Sequence, residues 1–363
     1  MKMKSNGALK AIILVGGEGT RLRPLTYTTV KSMIQVLNRP FIEYVIRHLS
    51  SHNIGEAILA LGYKPDSIMS YFGHGSELSA KLIYSVEQTP LGTAGAVKNA
   101  GKYVDDTFFV INGDIFTDLD LTDMFRFHKQ MSAKVTIALT SVEDPTQFGV
   151  VETDNKQRIN RFIEKPSRDQ VTSHLINAGT YIIEPEVLNH IPEGGQFMFE
   201  HDLFPKLLAE GEPILGYISD SYWIDVGTPE KYLQLNHDLL CGKSSQVDSQ
   251  AEDIHIDVRS SVHPQAKLIA PVLIDKDCTI DHEVCLRGPV VIGAGCNIGH
   301  GAIIESSILW QDVSVGEQAV LKNCIIASDS DIEVGVNIDG AVVNDKAPVN
   351  NASVTGSRTN IGG

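Results

Sequence analysis

A glycine-rich run near the beginning of the chain combines residue types that bind phosphate. It follows the apolar stretch Lys10–Val15, whose β-branched residues favour a buried parallel strand. Gly16, Gly17 and Gly19 would let backbone N–H groups approach a polyphosphate closely. Arg21 would add a forked donor for phosphate oxygens. The pattern therefore predicts polyphosphate binding where a strand ends.

Two better-known phosphate loops do not match this run. A Walker A loop would need Gly-Lys-Ser/Thr where the chain has Gly19-Thr20-Arg21, and a dinucleotide fingerprint would need glycine at Leu22. What remains is either a different phosphate-binding turn or an ordinary strand-to-loop turn with a solvated arginine. The run alone leaves both interpretations open.

Two aspartates follow apolar segments and could hold a cation. Asp114 comes directly after the apolar stretch that ends in Asn112 and Gly113, and Asp225 follows Trp223 and Ile224. Taken singly, each fits a turn or helix cap at least as well as a metal ligand. Two carboxylates together with substrate phosphates would form the all-oxygen ligand set that Mg²⁺ favours.

The elements that must position these residues alternate between strand and helix from the beginning of the chain to about Leu240. Predicted strands lie at residues 57–61, 82–86, 108–111 and 135–139, and predicted helices at 41–49 and 121–131. The alternation predicts an α/β fold, a Rossmann-like, mostly parallel sheet covered by helices. Ligands then belong at the carboxyl ends of the strands, near the topological switch point.

An apolar residue recurs at every sixth position beyond residue 258. The series runs through Val262, Leu268, Ile274, Ile280, Leu286, Ile292, Ile298 and Ile304, breaks near Trp310, and resumes at Val320, Ile326, Ile332 and Ile338. This is the hexapeptide pattern of a parallel β-helix in which three hexapeptides make one coil. Cys278 and Cys296 are three hexapeptides apart, so they should stack inside as reduced thiols. The predicted domains are residues 1–240, a linker at 241–257, the β-helix at 258–345 and a mobile tail at 346–363.

From the beginning of the chain to about Leu240, the sequence resembles the sugar-1-phosphate nucleotidyltransferase family, because the glycine-rich run is followed by further family motifs in order. The resemblance implies the nucleotidyltransferase fold, followed later in the chain by a left-handed β-helix. It implies that Asp114 and Asp225 hold the catalytic Mg²⁺ and that Arg21 and Lys31 stabilise the triphosphate. The implied nucleotide-binding set is Leu14, Gly16, Gly17, Gly19, Thr20, Arg21, Lys31, Glu87 and Gly92.

The family's sugar-phosphate elements are similar to two segments in the middle of the chain. They imply that Lys165 binds the phosphate, that Glu164 and Asn177 bind sugar hydroxyls, and that Gly179 allows close approach, and Gly149 matches a family position beside the sugar. A solvated ion pair is the alternative for Glu164 and Lys165. The family usually has proline where this chain has Ser32, which makes the backbone beside Lys31 less restricted.

The base is expected to contact Glu87, in a position where relatives that use thymidine, uridine or adenosine triphosphates commonly carry glutamine. A carboxylate only accepts hydrogen bonds, and guanine offers two adjacent donors, so Glu87 suits guanine. A register slip of one residue would put Gln88 there instead. Together with the motifs around Leu14 and Gly92, this resembles the mannose-1-phosphate guanylyltransferase branch and implies GTP and mannose 1-phosphate as substrates.

Composition narrows the range of partners. With 363 residues, 42% hydrophobic content and a net charge of −15, the chain is typical of a globular protein that binds neither nucleic acid nor an acidic membrane. Residues 1–40 hold seven basic side chains and one acidic one, a net charge of +6 where the phosphates would bind, and the remainder carries −21. Lys2 and Lys4 fit a solvated terminus. The following apolar run is too short for a signal peptide, so we expect a cytoplasmic protein, a homo-oligomer assembled through the β-helix.

Three alternatives to a guanylyltransferase remain. The first keeps the chemistry and changes the substrates to glucose 1-phosphate with a thymidine, adenosine or uridine triphosphate. The second is a non-catalytic subunit that senses nucleotide sugars, against which the retained Arg21, Lys31 and Lys165 argue. The third is acyl transfer by the β-helix, whose histidines at 263, 282 and 300 fit the repeat as ordinary turn residues.

Overall fold

The computed structural model describes residues 9–62, 64–350 and 360–361. The chain divides into two compact units. Unit 1 comprises Met1–Gly17 and Ile42–Trp223, and unit 2 comprises Glu18–Phe41 and Ile224–Gly363. The early segment Glu18–Phe41 therefore belongs to the same unit as the C-terminal part of the chain. Lys2 and Lys4 lie outside the described residues.

Unit 1 is built on one sheet with helices. The strands of unit 1 are β1 (Lys10–Val15), β2 (Glu56–Leu61), β3 (Lys81–Val86), β4 (Phe108–Asn112), β5 (Ile115–Thr117), β6 (Val135–Ser141), β7 (Gly149–Thr153), β8 (Ile159–Glu164), β9 (Leu175–Ile183) and β10 (Ile214–Ile218), and all except β5 belong to this sheet. The helices are α1 (Phe41–Ser51), α2 (Pro65–Phe72), α3 (Gly92–Ala100), α4 (Leu121–Met131) and α5 (Phe204–Ala209). These bounds confirm the predicted strands and both predicted helices.

The centre of the sheet is parallel, in the order β3-β2-β1-β4. Ala11, Ile12 and Ile13 of β1 are fully buried, as expected for a strand covered on both faces. Leu14 lies between Ala60 of β2 and Asn112 of β4. Because the chain leaves β1 toward β2 and returns to β4 on the other side, the topological switch point lies between the carboxyl ends of β1 and β4.

Strand β9 adds an antiparallel part to this sheet. It pairs antiparallel with β4, β6 and β7, and β8 pairs antiparallel with β7, whereas β10 lies parallel to β6. The register of β9 against β6 shifts between Asn177 and Tyr181, where Gly179 has φ +70°. Glycine suits this irregularity because it adopts positive φ without steric cost. The sheet is thus mixed and mainly parallel around β1, and the predicted Rossmann-like α/β class is confirmed. No helix in the described part of the chain has the length and apolarity to cross a membrane.

Unit 2 contains a β-helix made of three parallel ladders, which confirms the predicted repeat architecture. The first ladder consists of Ile254–Ile256, Val272–Ile274, Val290–Ile292, Ile308–Leu309, Ile325–Ile326, Val342–Val343 and Asn360–Ile361. The second consists of Ser261–Val262, Thr279–Ile280, Asn297–Ile298, Ser314–Val315, Asp331–Ile332 and Pro348–Val349. The third consists of Lys267–Ile269, Cys285–Arg287, Ile303–Glu305, Val320–Lys322 and Asn337–Asp339.

The later coils are one residue shorter than the three hexapeptides that the pattern predicts. Leu286 pairs with Ile304 at the full spacing, but Ile304 pairs with Leu321 rather than Val320. Leu321 is fully buried and Val320 is only half-buried. The expectation that the series resumes at Val320 was therefore wrong by one residue. The later members of the series, Ile326, Ile332 and Ile338, are buried as predicted.

The ends of the β-helix extend past the boundaries expected from composition. Its first strand, Ile254–Ile256, falls within the segment interpreted as a linker, and Pro348–Val349 falls within the predicted tail. Residues 351–359 and 362–363 of that tail lie outside the described residues. Cys278 and Cys296 are buried in the coil interior, and all five cysteines of the chain are free thiols. The predicted place of Cys278 and Cys296 in the core is confirmed.

The rest of unit 2 consists of short elements and one long helix. A two-stranded hairpin joins Gln35–Val36 to Arg39–Pro40 through a turn in which Leu37 and Asn38 both have positive φ. Helix α6 (Pro229–Leu240) is capped by Thr228, whose hydroxyl accepts from the Lys231 N–H. The short strand Trp223–Asp225 precedes this helix.

Candidate active site

The loops after β1 and β4 meet at the switch point of unit 1. The Gly113 N–H donates to the Leu14 carbonyl at 2.9 Å, and a side chain at residue 113 would lie 2.7 Å from that oxygen. Asp114 is therefore held at the carboxyl end of β4, beside the end of β1. A side chain added at Gly16 or Gly17 would meet no atom within 4 Å, so both α-carbons border open space. The predicted phosphate loop thus leaves room for a ligand at this edge.

Glu87 follows β3 and lies at the base of a turn. One of its carboxylate oxygens accepts from the Leu91 N–H at 3.1 Å, while Gln88 is exposed. Burial raises the pKa of Glu87 above its ordinary value, and the hydrogen bond from Leu91 opposes that shift. Gly92 begins α3 with φ +73°, and a side chain there would lie 2.7 Å from the Phe197 carbonyl. Glu87 is a half-buried acceptor with one oxygen partly engaged by its own turn.

The predicted sugar residues on β7 and β8 are neighbours in unit 1. Gly149 pairs with Glu164, and a side chain at residue 149 would lie 2.8 Å from a Glu164 carboxylate oxygen. The Lys165 ammonium lies 3.8 Å from the other Glu164 oxygen. Lys165 has φ +46°, a left-handed conformation that costs energy for a residue with a side chain and recurs at functional sites.

The irregularity of β9 brings two more predicted residues to this place. The Asn177 amide donates to the Tyr181 hydroxyl at 2.8 Å, and its oxygen accepts from the Gly179 N–H at 3.0 Å. A side chain at Gly179 would come within 2.7 Å of the Asn112 amide nitrogen. Asn112 is the last residue of β4, so the β9 irregularity lies against the strand that leads to Asp114.

Glu200 is a carboxylate of this region that the sequence analysis missed. It lies in the π-helical turn Phe199–Leu203 and 3.5 Å from the Thr93 hydroxyl. Burial, together with the charge of Glu164, raises the pKa of Glu200 above its ordinary value. The signal available in the sequence was that apolar residues lie on both sides of the polar run 200–202 to which Glu200 belongs.

Trp223 contacts both the β9 irregularity and the residue before Gly149. Its indole N–H donates to the Ala178 carbonyl at 3.0 Å, and its ring packs on Phe148 with ring centroids 5.5 Å apart. Phe148 precedes Gly149 directly, so Trp223 fixes both the β9 irregularity and the start of β7.

In unit 2 the predicted phosphate residues surround Gly19. Gly19 has φ +65°, and a side chain there would lie 2.9 Å from the Lys31 Cβ. Thr20 and Arg21 begin the short helical turn that follows, Thr20 is exposed, and the Arg21 side chain is 67% exposed. The Arg21 guanidinium lies 4.0 Å from an Asp225 carboxylate oxygen. A side chain at Gly227 would lie 3.0 Å from the same guanidinium. Arg21 and Asp225, predicted for different tasks, are therefore neighbours.

Ser32 departs from the family's proline and is buried next to Lys31. In the described part of the chain its hydroxyl makes no hydrogen bond. A proline would have avoided burying this polar group. The short helical turn Lys31–Met33 is nevertheless formed, and Ile34 closes it by donating to the Lys31 carbonyl at 3.3 Å.

The predicted residues thus fall into two groups. Unit 1 brings together the strand-end glycines, Asp114, the base-turn residues and the sugar residues, and unit 2 brings together Gly19, Thr20, Arg21, Lys31 and Asp225. Each unit contributes one predicted carboxylate, Asp114 in unit 1 and Asp225 in unit 2, and carboxylate oxygens are ligands that a hard cation prefers. Arg21 and Lys31 are cations suited to phosphate oxygens, and the β7–β9 residues offer acceptors and donors suited to hydroxyls.

Comparison with known proteins shows the family of the chain. Residues 10–241 match the nucleotidyl transferase family. The chain belongs to that family. Residues 268–362 match the domain described as the GMPPB C-terminal domain, which covers most of the β-helix.

Curated relatives cover most of the chain. A mannose-1-phosphate guanylyltransferase of Mycobacterium tuberculosis is 38% identical over 277 residues, which is 74% of this chain and 76% of the relative. A mannose-1-phosphate guanyltransferase of Debaryomyces hansenii is 36% identical over 341 residues, 92% of this chain and 90% of the relative. A UTP–glucose-1-phosphate uridylyltransferase of Synechocystis is 31% identical over 88% of this chain and 87% of the relative.

Solved structures resemble part of the chain. HddC from Yersinia pseudotuberculosis superposes with a TM-score of 0.56 at 30% identity, over 63% of this chain and 98% of HddC. HddC has also been solved in complex with GMP-PN, with a TM-score of 0.55 to this chain over the same shares of both chains.

Proposed function

We propose that this protein transfers the guanylyl group of GTP to mannose 1-phosphate, giving GDP-mannose and pyrophosphate. The observation that carries the proposal is the grouping of polar side chains around Gly149 of β7, where Glu164 ends β8, Lys165 follows it directly, and Asn177 lies on β9, the other neighbour of β7. A side chain at residue 149 would clash with the Phe162 ring and the Glu164 carboxylate, so this packing depends on glycine. The grouping offers a cation, a carboxylate and an amide to a sugar phosphate, and Gly179 of β9 lies against Asn112, in the strand that leads to Asp114.

The choice of guanine rests on Glu87 and on the relatives. A half-buried carboxylate matches the two adjacent donors of guanine, and one oxygen can accept from both Leu91 and the base because it has two lone pairs. Proteins named mannose-1-phosphate guanylyltransferases are 38% and 36% identical to this chain over most of its length. Both observations favour GTP with mannose 1-phosphate.

The proposed reaction needs little proton transfer. A sugar 1-phosphate is mostly dianionic at neutral pH, since its second pKa is about 6. One of its oxygens forms a bond to the α-phosphorus of GTP, the bond from that phosphorus to the bridging oxygen breaks, and pyrophosphate leaves. Catalysis then consists of positioning two anions and stabilising the leaving group.

The charged side chains supply this stabilisation. Lys165 would orient the attacking phosphate, and Arg21 with Lys31 would neutralise the triphosphate and the departing pyrophosphate. Glu164 and Asn177 would hold the sugar hydroxyls. Asp114 and Asp225 would hold Mg²⁺, which lowers the charge repulsion between the phosphates when it is bound.

The proposal is tested by pyrophosphate release across a grid of nucleotides and sugars. GTP, dTTP, UTP, ATP and CTP are each combined with mannose 1-phosphate or glucose 1-phosphate, with and without Mg²⁺. A metal-dependent maximum at GTP with mannose 1-phosphate is the expected result.

Two other outcomes would overturn it. A maximum at UTP with glucose 1-phosphate would favour the activity for which the Synechocystis relative is named. Pyrophosphate release from none of the pairs would favour the non-catalytic nucleotide-sugar sensor.

The proposal extends to location and assembly. Five free thiols, two of them neighbours inside the β-helix, fit the reducing cytoplasm. We also propose a homo-oligomer assembled through the β-helix, whose first strand carries exposed Ile254 and Ile256. Sedimentation of the purified protein at several concentrations would test the assembly.

A further inference from the structure

We infer that the β-helix positions the proposed phosphate-binding residues Arg21 and Lys31 through a hydrogen-bonded tether made by Asn38, Tyr232, Asn236 and Trp310. The inference rests on the proposed function, because it assigns these four positioning residues to the same reaction. All of them belong to unit 2, as do Arg21 and Lys31.

The tether begins at the hairpin turn of segment Glu18–Phe41. The Asn38 side-chain amide donates to the carbonyl of Ile292, a β-helix residue, at 3.1 Å. The neighbouring Leu37 N–H donates to the Asn236 side-chain oxygen of α6 at 2.9 Å. The left-handed turn at Leu37 and Asn38 is therefore hydrogen-bonded both to the β-helix and to α6.

A second connection runs through Tyr232. Its hydroxyl donates to the Gln35 carbonyl in the hairpin and accepts from the Trp310 indole N–H of the β-helix, the latter at 2.8 Å. Tyr232 and Asn236 are fully buried, and Trp310 is nearly so. The Asn236 amide also donates to the Tyr232 carbonyl at 2.9 Å, so the two connections share one helix. Buried hydrogen bonds of this kind specify one arrangement of the elements they join.

The hairpin is joined to the phosphate residues by a short, closed path. The Phe41 N–H donates to the Ile34 carbonyl at 2.9 Å and closes the hairpin directly after the Lys31–Met33 turn. The Lys31 side chain packs against Gly19, whose carbonyl accepts from the Thr26 hydroxyl at 2.7 Å. Arg21 follows two residues after Gly19. A displaced hairpin would therefore displace both cations.

This arrangement matters because the reaction depends on positioning. A shift of about 1 Å in groups that align reacting phosphates can reduce turnover by about a hundredfold. The sugar-binding residues belong to unit 1 and have no part in the tether. Loosening the tether should therefore affect the nucleotide and the rate far more than the sugar phosphate.

Asn38→Gly is the sharpest test, because glycine keeps the positive φ and removes the side-chain hydrogen bond to Ile292, while a matched asparagine-to-glycine control accounts for the added backbone freedom. We expect kcat to fall about tenfold and KM for the nucleotide to rise, with KM for the sugar phosphate within about twofold of wild type. Amide hydrogen exchange of peptides from residues 18–41, measured without substrates, should accelerate about tenfold.

The matched control is Asn53→Gly, at another asparagine with positive φ that lies in unit 1. It should change neither the kinetics nor the exchange of residues 18–41. Tyr232→Phe, which keeps the ring and removes the hydroxyl, should reproduce the effect of Asn38→Gly.

Unchanged exchange of residues 18–41 in both tether variants would overturn the inference, and so would faster exchange with unchanged kcat. A wild-type chain that is silent with every substrate pair would instead defeat the proposed function. The exchange measurement would then decide on the tether by itself.

Discussion

Arg21 and Asp225 show how two residues predicted for different tasks share one place. Their charged groups lie 4.0 Å apart in unit 2, and the missing side chain of Gly227 leaves room for the guanidinium. A carboxylate beside the arginine would hold it in position while the arginine still offers donors to phosphate. Any change at Asp225 should therefore affect the placement of Arg21 and, under the proposed function, Mg²⁺ ligation as well.

Asp225→Asn should lower kcat by at least about a hundredfold at every Mg²⁺ concentration, because it removes a ligand charge and the partner of Arg21 while keeping the side-chain shape. Pyrophosphate release across a Mg²⁺ titration measures this. Asp248→Asn, at an exposed aspartate of the same unit, is the control and should behave as wild type. Near-normal rates in Asp225→Asn would remove this residue from the site.

Glu87→Gln should reduce the preference for GTP over UTP by about ten- to hundredfold, because an amide group presents a donor where guanine needs an acceptor. The ratio of kcat/KM values for the two nucleotides measures the effect. Gln88→Ala tests the other register: if that variant changes the preference and Glu87→Gln does not, the base is read one residue later.

The pH profile gives a second check on Glu87. Burial raises its pKa, and only the ionised carboxylate accepts from both guanine donors. As pH falls through this raised pKa, the group gains a proton, so kcat/KM for GTP should decline at a higher pH than for an ordinary glutamate. Glu87→Gln should lose this part of the acidic limb. An identical limb in both proteins would assign it to another group.

At the scale of elements, the hexapeptide pattern predicts the β-helix but not the length of each coil. Ladder pairing puts Ile304 opposite Leu321, because the later coils are one residue shorter than the earlier ones. The sequence pattern detects the repeat because stacked coils share one apolar interior. It does not show where a coil loses a residue, because valine and leucine stand next to each other at 320 and 321.

Leu321→Ala should destabilise unit 2 by about 2–5 kcal/mol, because it leaves a cavity in the coil interior, whereas Val320→Ala should cost about 1 kcal/mol or less. Trp310 fluorescence during urea unfolding reports on the β-helix, and a Trp223→Phe background removes the only other tryptophan. Equal losses in the two variants, or a larger loss at Val320, would contradict the observed register.

The active-site elements were predictable to different degrees. The strand ends that carry Gly16 and Asp114 follow from apolar runs that stop at glycine, a local signal. The contact of Arg21 with Asp225 joins residues some two hundred positions apart, and no local pattern encodes it. Glu200 was missed because its raised pKa arises from its burial near Glu164, which only the packed chain brings about.

At the scale of the whole molecule, the two units do not follow the order of the sequence. The predicted catalytic domain comprises residues 1–240 and the predicted β-helix residues 258–345. By its contacts, segment Glu18–Phe41 belongs to the unit that contains the β-helix. Domain boundaries that are inferred from linkers assume that each domain is one continuous segment. That assumption cannot predict a hydrogen bond between distant segments, such as the one from Asn38 to Ile292.

A chain truncated after Leu240 provides the last prediction. It retains every residue of the predicted site but loses Ile292 and Trp310, the partners of Asn38 and Tyr232. We expect turnover to fall by at least about a hundredfold although circular dichroism still reports the α/β sheet, because segment Glu18–Phe41 loses its anchors. Adding the β-helix as a separate chain should restore little of the turnover, because two separate chains lack the high effective concentration that the covalent link provides. Full turnover in a folded truncated chain would mean that the part of the chain before Cys241 holds Arg21 and Lys31 unaided.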